Sequence, residues 1–111
     1  MLLIQSKNHI DIIRKLEILF CKSENCYTTF HLENGKQFIV CKSLNKVTKE
    51  IDLPFFIRVH QSYIINTRFL TSIDKKNKQI VLNDNIIIPF TITISDLTVK
   101  LLDTSPNYQH L

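Results

Sequence analysis

The chain contains no alanine and a single glycine, Gly35. One glycine excludes a Gly-rich loop that cradles phosphates, because such a loop needs several positions without a Cβ. Alanine is the strongest helix former, and its absence beside plentiful Ile, Val and Thr leans the chain towards strands. The same bias follows from A/T-rich codons, so periodicity carries more weight than composition. Long apolar runs are missing too. The longest, Ile86–Phe90, falls far short of the ~20 residues of a membrane span. The opening Met-Leu-Leu-Ile-Gln-Ser-Lys has neither the charged start nor the long apolar stretch of a signal peptide. The expectation is a cytoplasmic protein without membrane insertion.

Patterns that carry catalysis or metal are also lacking. There is no Gly-x-Ser-x-Gly elbow, and Ser62 and His60 on one strand do not point at each other. His9, His31, His60 and His110 show no metal-ligand spacing. Cys21, Cys26 and Cys41 contain no Cys-x-x-Cys pair. Their odd number fits a reducing compartment, and their simplest role is as small buried apolar fillers. On the hairpin expected below, Cys26 and Cys41 share a face as diagonal neighbours. About 7 Å between their Cβ atoms is too far for a disulfide. The chain is therefore expected not to be an enzyme and to need no cofactor and no metal.

What is present fits one folded unit. A length of 111 residues corresponds to a single domain, 1–111, with 44% hydrophobic and 22% charged residues excluding wholesale disorder. Lys plus Arg exceed Asp plus Glu by 14 to 10, and the resulting net charge of +4 suits an anionic partner. Polar clusters punctuate the chain every 8–12 residues, the spacing of a β meander.

Asn34-Gly35 predicts a two-residue type I′ turn. Glu33 then opposes Lys36, and Thr28, Phe30 and Leu32 share a face with Ile39 and Cys41. A second meander is expected over Phe69–Ile73, Gln79–Leu82 and Ile86–Phe90. Asn83-Asp84-Asn85 supplies left-handed residues in place of glycine, and Pro89 stands at a strand end or edge. Ser43 caps a helix over Leu44–Ile51, whose stripe is Leu44, Val47 and Ile51, and Pro54 helps to stop it. Ser95 caps a second helix, Asp96–Leu102. In the strand Phe55–His60, alternation turns Ile57 and Val59 inward and Arg58 and His60 outward together. Ser62–Asn66 reads as a single helical turn capped by Ser62.

The richest polar string is Arg58, His60, Gln61, Ser62 and Asn66. By residue type it reads first as a solvated strand face beside a capped turn. It also suits nucleic acid, because Arg forks onto phosphate or guanine and Asn or Gln reads adenine. RNA is disfavoured, since few exposed aromatics flank the basic residues. The basic tip Lys75-Lys76-Asn77-Lys78 reads as protection of a strand edge.

Order adds to type. Phe56-Ile-Arg-Val-His-Gln-Ser-Tyr-Ile-Ile-Asn66, Phe69-Leu-Thr-Ser-Ile73 and Gln79-Ile-Val-Leu-Asn-Asp-Asn-Ile-Ile-Ile-Pro89 together resemble the LytTR DNA-binding domain of bacterial transcription regulators. The resemblance covers about residues 11–102, leaving 103–111 as a tail. It implies a mainly β fold: an elongated stack of small antiparallel sheets with one or two short helices. It also implies a sequence-specific binder of double-stranded DNA, with loops in successive major grooves of promoter direct repeats and pairs of molecules on one site. Carried over by position, Arg58, His60, Gln61 and Ser62 lie at the groove. Asn66 holds the turn. Lys22 and Asn25 come from the preceding loop Lys22–Cys26, and Thr91 and Thr93 touch phosphates. Gln61 replaces a common arginine, and Ile92 stands where a base-reading arginine is usual. The latter departure motivates an alternative: a protein-interaction or dimerisation module with an apolar surface near Phe90 and Ile92. Members often carry a receiver domain of the two-component type, for which this chain has no space. It reads as a freestanding regulator or the C-terminal part of a larger one, answering to a receiver domain or a sensor partner.

Overall fold

Four consecutive residues of one strand, Ile18, Leu19, Phe20 and Cys21, are all buried, so that strand is covered on both faces. It is β3 (Ile18–Glu24), the centre of a five-stranded antiparallel sheet with β4 (Tyr27–Leu32), β5 (Gln37–Val40), β6 (Phe56–His60) and β7 (Tyr63–Asn66), in the spatial order β5-β4-β3-β7-β6. The computed structural model describes residues 1–104; most of the expected tail, with His110, lies outside the described residues. Among the described residues two further sheets are present. A hairpin of β1 (Leu2–Gln5) and β2 (Ile10–Ile13) precedes the large sheet, and β8 (Leu70–Asp74), β9 (Gln79–Leu82) and β10 (Ile86–Pro89) follow it. Helix α1 (Leu44–Ile51) joins β5 to β6, and α2 (Ile94–Thr104) follows β10. The stack measures 51 × 29 × 25 Å, the elongated mainly β architecture that the sequence implied.

The large sheet separates two cores. On one face Ile18, Cys21, Phe30, Phe56 and Ile64 meet the α1 stripe and the first hairpin. On the other, Phe20, Ile57, Val59 and Ile65 meet Ile80, Leu82, Ile88, Phe90 and Leu97. Ile64 and Ile65 are neighbours in β7, yet each is fully buried in a different core. This double burial explains why Ser62–Asn66 is not a helical turn. A strand covered on both faces reads as an unbroken apolar run, which periodicity alone does not distinguish from a helix.

The first helix matches its expectation to the residue. Ser43 accepts a hydrogen bond from the Lys46 N–H at 3.2 Å, and Leu44, Val47 and Ile51 are buried. Asp52, left-handed at φ 47°, closes it. The second helix starts earlier than expected. Thr93, not Ser95, is its cap: the Thr93 hydroxyl accepts from Asp96 N–H at 3.0 Å, and Ser95 lies inside the helix. In the second meander Asn83 and Asp84 adopt φ of 50° and 64°, as their residue types foretold, and Pro89 ends edge strand β10.

The β4–β5 hairpin differs from its expectation by one residue. Gly35 is left-handed at φ 87°, whereas Asn34 is not among the positive-φ residues. Gly35 N–H donates to the Leu32 carbonyl at 3.0 Å, and Leu32 N–H to Lys36 O at 2.9 Å, so the loop has three residues. Phe30 therefore pairs with Phe38 and Thr28 with Val40, and the expected Glu33–Lys36 opposition is absent. A one-residue slip exchanges the faces. Phe38 and Val40 pack on the first core, while Ile39 is 65% exposed. The cysteines separate accordingly: Cys21 is buried and its thiol pKa is pushed up by that burial, whereas Cys26 and Cys41 are exposed rather than core fillers.

Gly35→Ala tests this turn. An added Cβ meets nothing within 4 Å, so the cost is backbone strain alone. The expected loss is about 1–2 kcal/mol in urea denaturation. An unchanged midpoint would show that the loop relaxes freely into another turn type.

Candidate nucleic-acid interface

The antiparallel order brings three connections to one end of the large sheet: the β3–β4 turn, the β6–β7 turn and the approach to α1. The β6–β7 turn is held from several sides. Its Ser62 carbonyl accepts from Ser23 N–H at 2.9 Å, tying it to β3. Ser62 N–H donates to His60 Nδ1 at 2.9 Å, which leaves the other ring nitrogen, Nε2, to carry the proton of a neutral imidazole. The Arg58 guanidinium donates through Nε to the His60 carbonyl at 3.3 Å, through Nη2 to the Gln61 carbonyl and through Nη1 to Asn45 Oδ1.

Arg58 and His60 do not project together. A bulge interrupts the β6–β7 register, so Arg58 pairs with Ile64 and His60 with Tyr63. Those partners serve opposite faces of the sheet. Val59 is the extra residue, fully buried in the second core. Arg58 thus reaches α1, while His60 turns its ring edge-on to Tyr63, 5.4 Å between centroids.

A notch of about 320 Å³ gathers the polar groups. Ser23 and Asn25 enter it from the β3–β4 turn, Ser43 and Asn45 from the start of α1, and Arg58, Gln61 and Ser62 from the β6–β7 turn. Asn25 is left-handed at φ 54°, which a short polar side chain tolerates. A larger cleft, about 660 Å³, opens between the β4–β5 and β9–β10 turns. Its charged lining mixes Glu33, Lys36 and Asp84, which gives it no preference for a polyanion.

Of the residues singled out in the sequence, Asn25, Arg58, Gln61 and Ser62 meet in the notch. Thr91 is exposed, and its N–H donates to the Val59 carbonyl at 2.9 Å, fastening the β10–α2 loop to the bulge. The others have different posts. Lys22 lies within β3, ion-paired with Glu24 at 3.0 Å and 5.8 Å from the Tyr63 ring centre. The Glu24 hydrogen bond raises its pKa. On the same face His31 stacks on Phe20 at 4.1 Å, and burial followed by the Lys22 charge lowers its pKa. Asn66 is fully buried, and Thr93 caps α2. Of the two residues on which the protein-interaction alternative rests, Phe90 is 2% exposed and Ile92 is half-buried against the second core. Ser23 and Asn45 escaped the sequence reading. The Ser43 cap was the available signal, because it fixes which residues form the first turn of α1.

Among the described residues no group of three His, Cys, Asp or Glu is placed to hold a metal ion, and no helix is long and apolar enough to cross a membrane.

Residues 8–104 match the family model of the LytTr DNA-binding domain. The transcriptional regulatory protein LytR of Staphylococcus aureus (strain N315) is 30% identical over 72 residues, covering 65% of this chain and 29% of that protein. The chain thus spans under a third of that relative's length. A stretch of 32 residues is 50% identical to part of the endolytic peptidoglycan transglycosylase RlpA of Rickettsia prowazekii, 29% of this chain and 10% of that protein. A solved LytTr DNA-binding domain of a methyl-accepting/DNA response regulator from Bacillus cereus superposes with a TM-score of 0.73 at 16% identity, covering 91% of this chain and 94% of that one.

Proposed function

Because the chain belongs to the LytTr DNA-binding domain family, we propose that it is a sequence-specific transcription regulator that inserts the turns at one end of the large sheet into successive major grooves of promoter direct repeats. The observation that carries this reading is the notch, where three connections converge on one guanidinium. Arg58 engages phosphate or a guanine edge. Gln61, exposed at the tip of the turn, offers an amide able to hydrogen-bond adenine in a bidentate way. Asn25 and Ser62 flank it, and Thr91 meets the backbone from the β10–α2 loop. Two copies occupy adjacent repeats, and the signal arrives from a receiver domain or a separate sensor.

Selection from random duplexes tests the proposal, with convergence on a repeated motif as the expected result. Gln61→Ala then erodes discrimination between that motif and random duplex by about 1–3 kcal/mol, while random-duplex affinity stays near its original value. Failure of any motif to emerge overturns the reading.

A further inference from the structure

The geometry points to Asn45 as a positioning residue: from the first turn of α1, its side-chain carbonyl fixes the direction of the Arg58 guanidinium and so sets the selectivity of the β6–β7 turn. This rests on the DNA-binding reading above and deepens it.

Two of the three acceptors around Arg58, the carbonyls of His60 and Gln61, belong to the turn that Arg58 itself serves. They move with that turn. Asn45 Oδ1 belongs to another element, 13 residues away in the chain. It alone of the three refers the guanidinium to a fixed outside point.

That point is rigid. Leu44 and Val47, on either side of Asn45 in the chain, are 3% and 0% exposed. The start of α1 is capped by Ser43. Its far end is held by Lys15 Nζ donating to the Ile51 carbonyl at 2.8 Å and by the Lys42–Glu50 ion pair at 2.9 Å. Asn45 itself is exposed, so its side chain is not needed to fill the core.

A guanidinium has five N–H donors. Three are engaged within the protein, on Asn45, His60 and Gln61. The remaining two lie in the guanidinium plane, and Asn45 sets how that plane stands relative to the notch. Without Asn45 the charge remains, but the plane is free to pivot on the turn. Charge draws any duplex, whereas direction decides which duplex fits.

The test uses Asn45→Ala, Asn45→Asp, Arg58→Ala and the Asn45→Ala/Arg58→Ala pair in the full chain. In the free protein, Asn45→Ala is expected to lower the heteronuclear NOE of the Arg58 Nε–H. With DNA, it is expected to reduce selectivity for the selected duplex over random duplex about tenfold, with an unchanged salt slope. Asn45→Asp keeps the acceptor oxygen, so selectivity returns while affinity for every duplex falls. The double variant is expected to be no less selective than Arg58→Ala alone. Wild-type selectivity in Asn45→Ala overturns the inference, as does an Asn45 effect that persists undiminished without Arg58. If the wild-type protein selects no duplex, the DNA-binding reading fails. The Arg58 NOE still judges Asn45 by itself, and an unchanged value overturns its positioning role.

Discussion

Arg58→Ala is expected to weaken binding to the selected duplex by about 2–4 kcal/mol, the largest effect of any single side chain at the interface. Two losses combine. The first is a phosphate contact, which reduces the slope of log K against log salt by about 0.9 and lowers affinity for selected and random duplex alike. The second is local. Arg58 gathers the carbonyls of His60 and Gln61, so its removal loosens the turn that presents the Gln61 amide. Arg58→Lys separates the two, because lysine keeps the charge but has no planar fork. Its salt slope should match wild type while its selectivity falls. Fluorescence anisotropy over a salt series reads both quantities. A pair of variants with wild-type slope and wild-type selectivity would remove Arg58 from the interface.

The parts of this fold that were legible in the sequence are those whose causes are local. Helix α1 follows from a cap, a stripe and a stop within the twelve residues Ser43–Pro54. The β8–β10 meander follows from alternation and from Asn83 and Asp84, which tolerate the left-handed backbone. The parts that misled depend on what lies across the sheet. Ile64 and Ile65 resemble a helical stretch until both faces of β7 are seen to be covered. The β4–β5 register turned on a single residue, and the burial of Phe38 and Val40, not the Asn-Gly pair, decided it. The bulge at Val59 leaves no mark in the local pattern, yet it sends Arg58 and His60 to different faces. The site was half legible for the same reason. Arg58, Gln61 and Ser62 stand out as one string, whereas Asn45 joins them only through the docking of α1. Lys22 looked like a loop cation and proved to be a strand residue paired with Glu24.

Asn66→Ala is expected to cost about 3 kcal/mol of stability, a large share of the roughly 5–15 kcal/mol that holds a domain folded. Asn66 ends β7 with its side chain fully buried. Its Nδ2 donates to the Ile18 carbonyl at 2.9 Å, and its Oδ1 accepts from Arg68 N–H at 3.0 Å. One side chain thus joins the start of β3 to the turn after β7, across 48 residues of sequence. Truncation leaves a buried acceptor and a part-buried donor unmatched. The urea midpoint should fall with an unchanged m value. Asn66→Asp adds a signature in pH. Burial raises the carboxyl pKa of that variant above its unfolded value. Below the unfolded pKa the acid is protonated in both states and can still donate to Ile18. As pH rises past it, the unfolded chain ionises more readily than the folded one, so stability falls with rising pH. At neutral pH Asn66→Asp should therefore be less stable than Asn66→Ala, with the order narrowing or reversing in acid. DNA binding separates this role from contact with a duplex. Asn66 stands at the end of β7 away from Gln61, so the folded fraction of Asn66→Ala should keep wild-type affinity and selectivity. A loss of affinity per folded molecule would mean that the far end of β7 also shapes the interface.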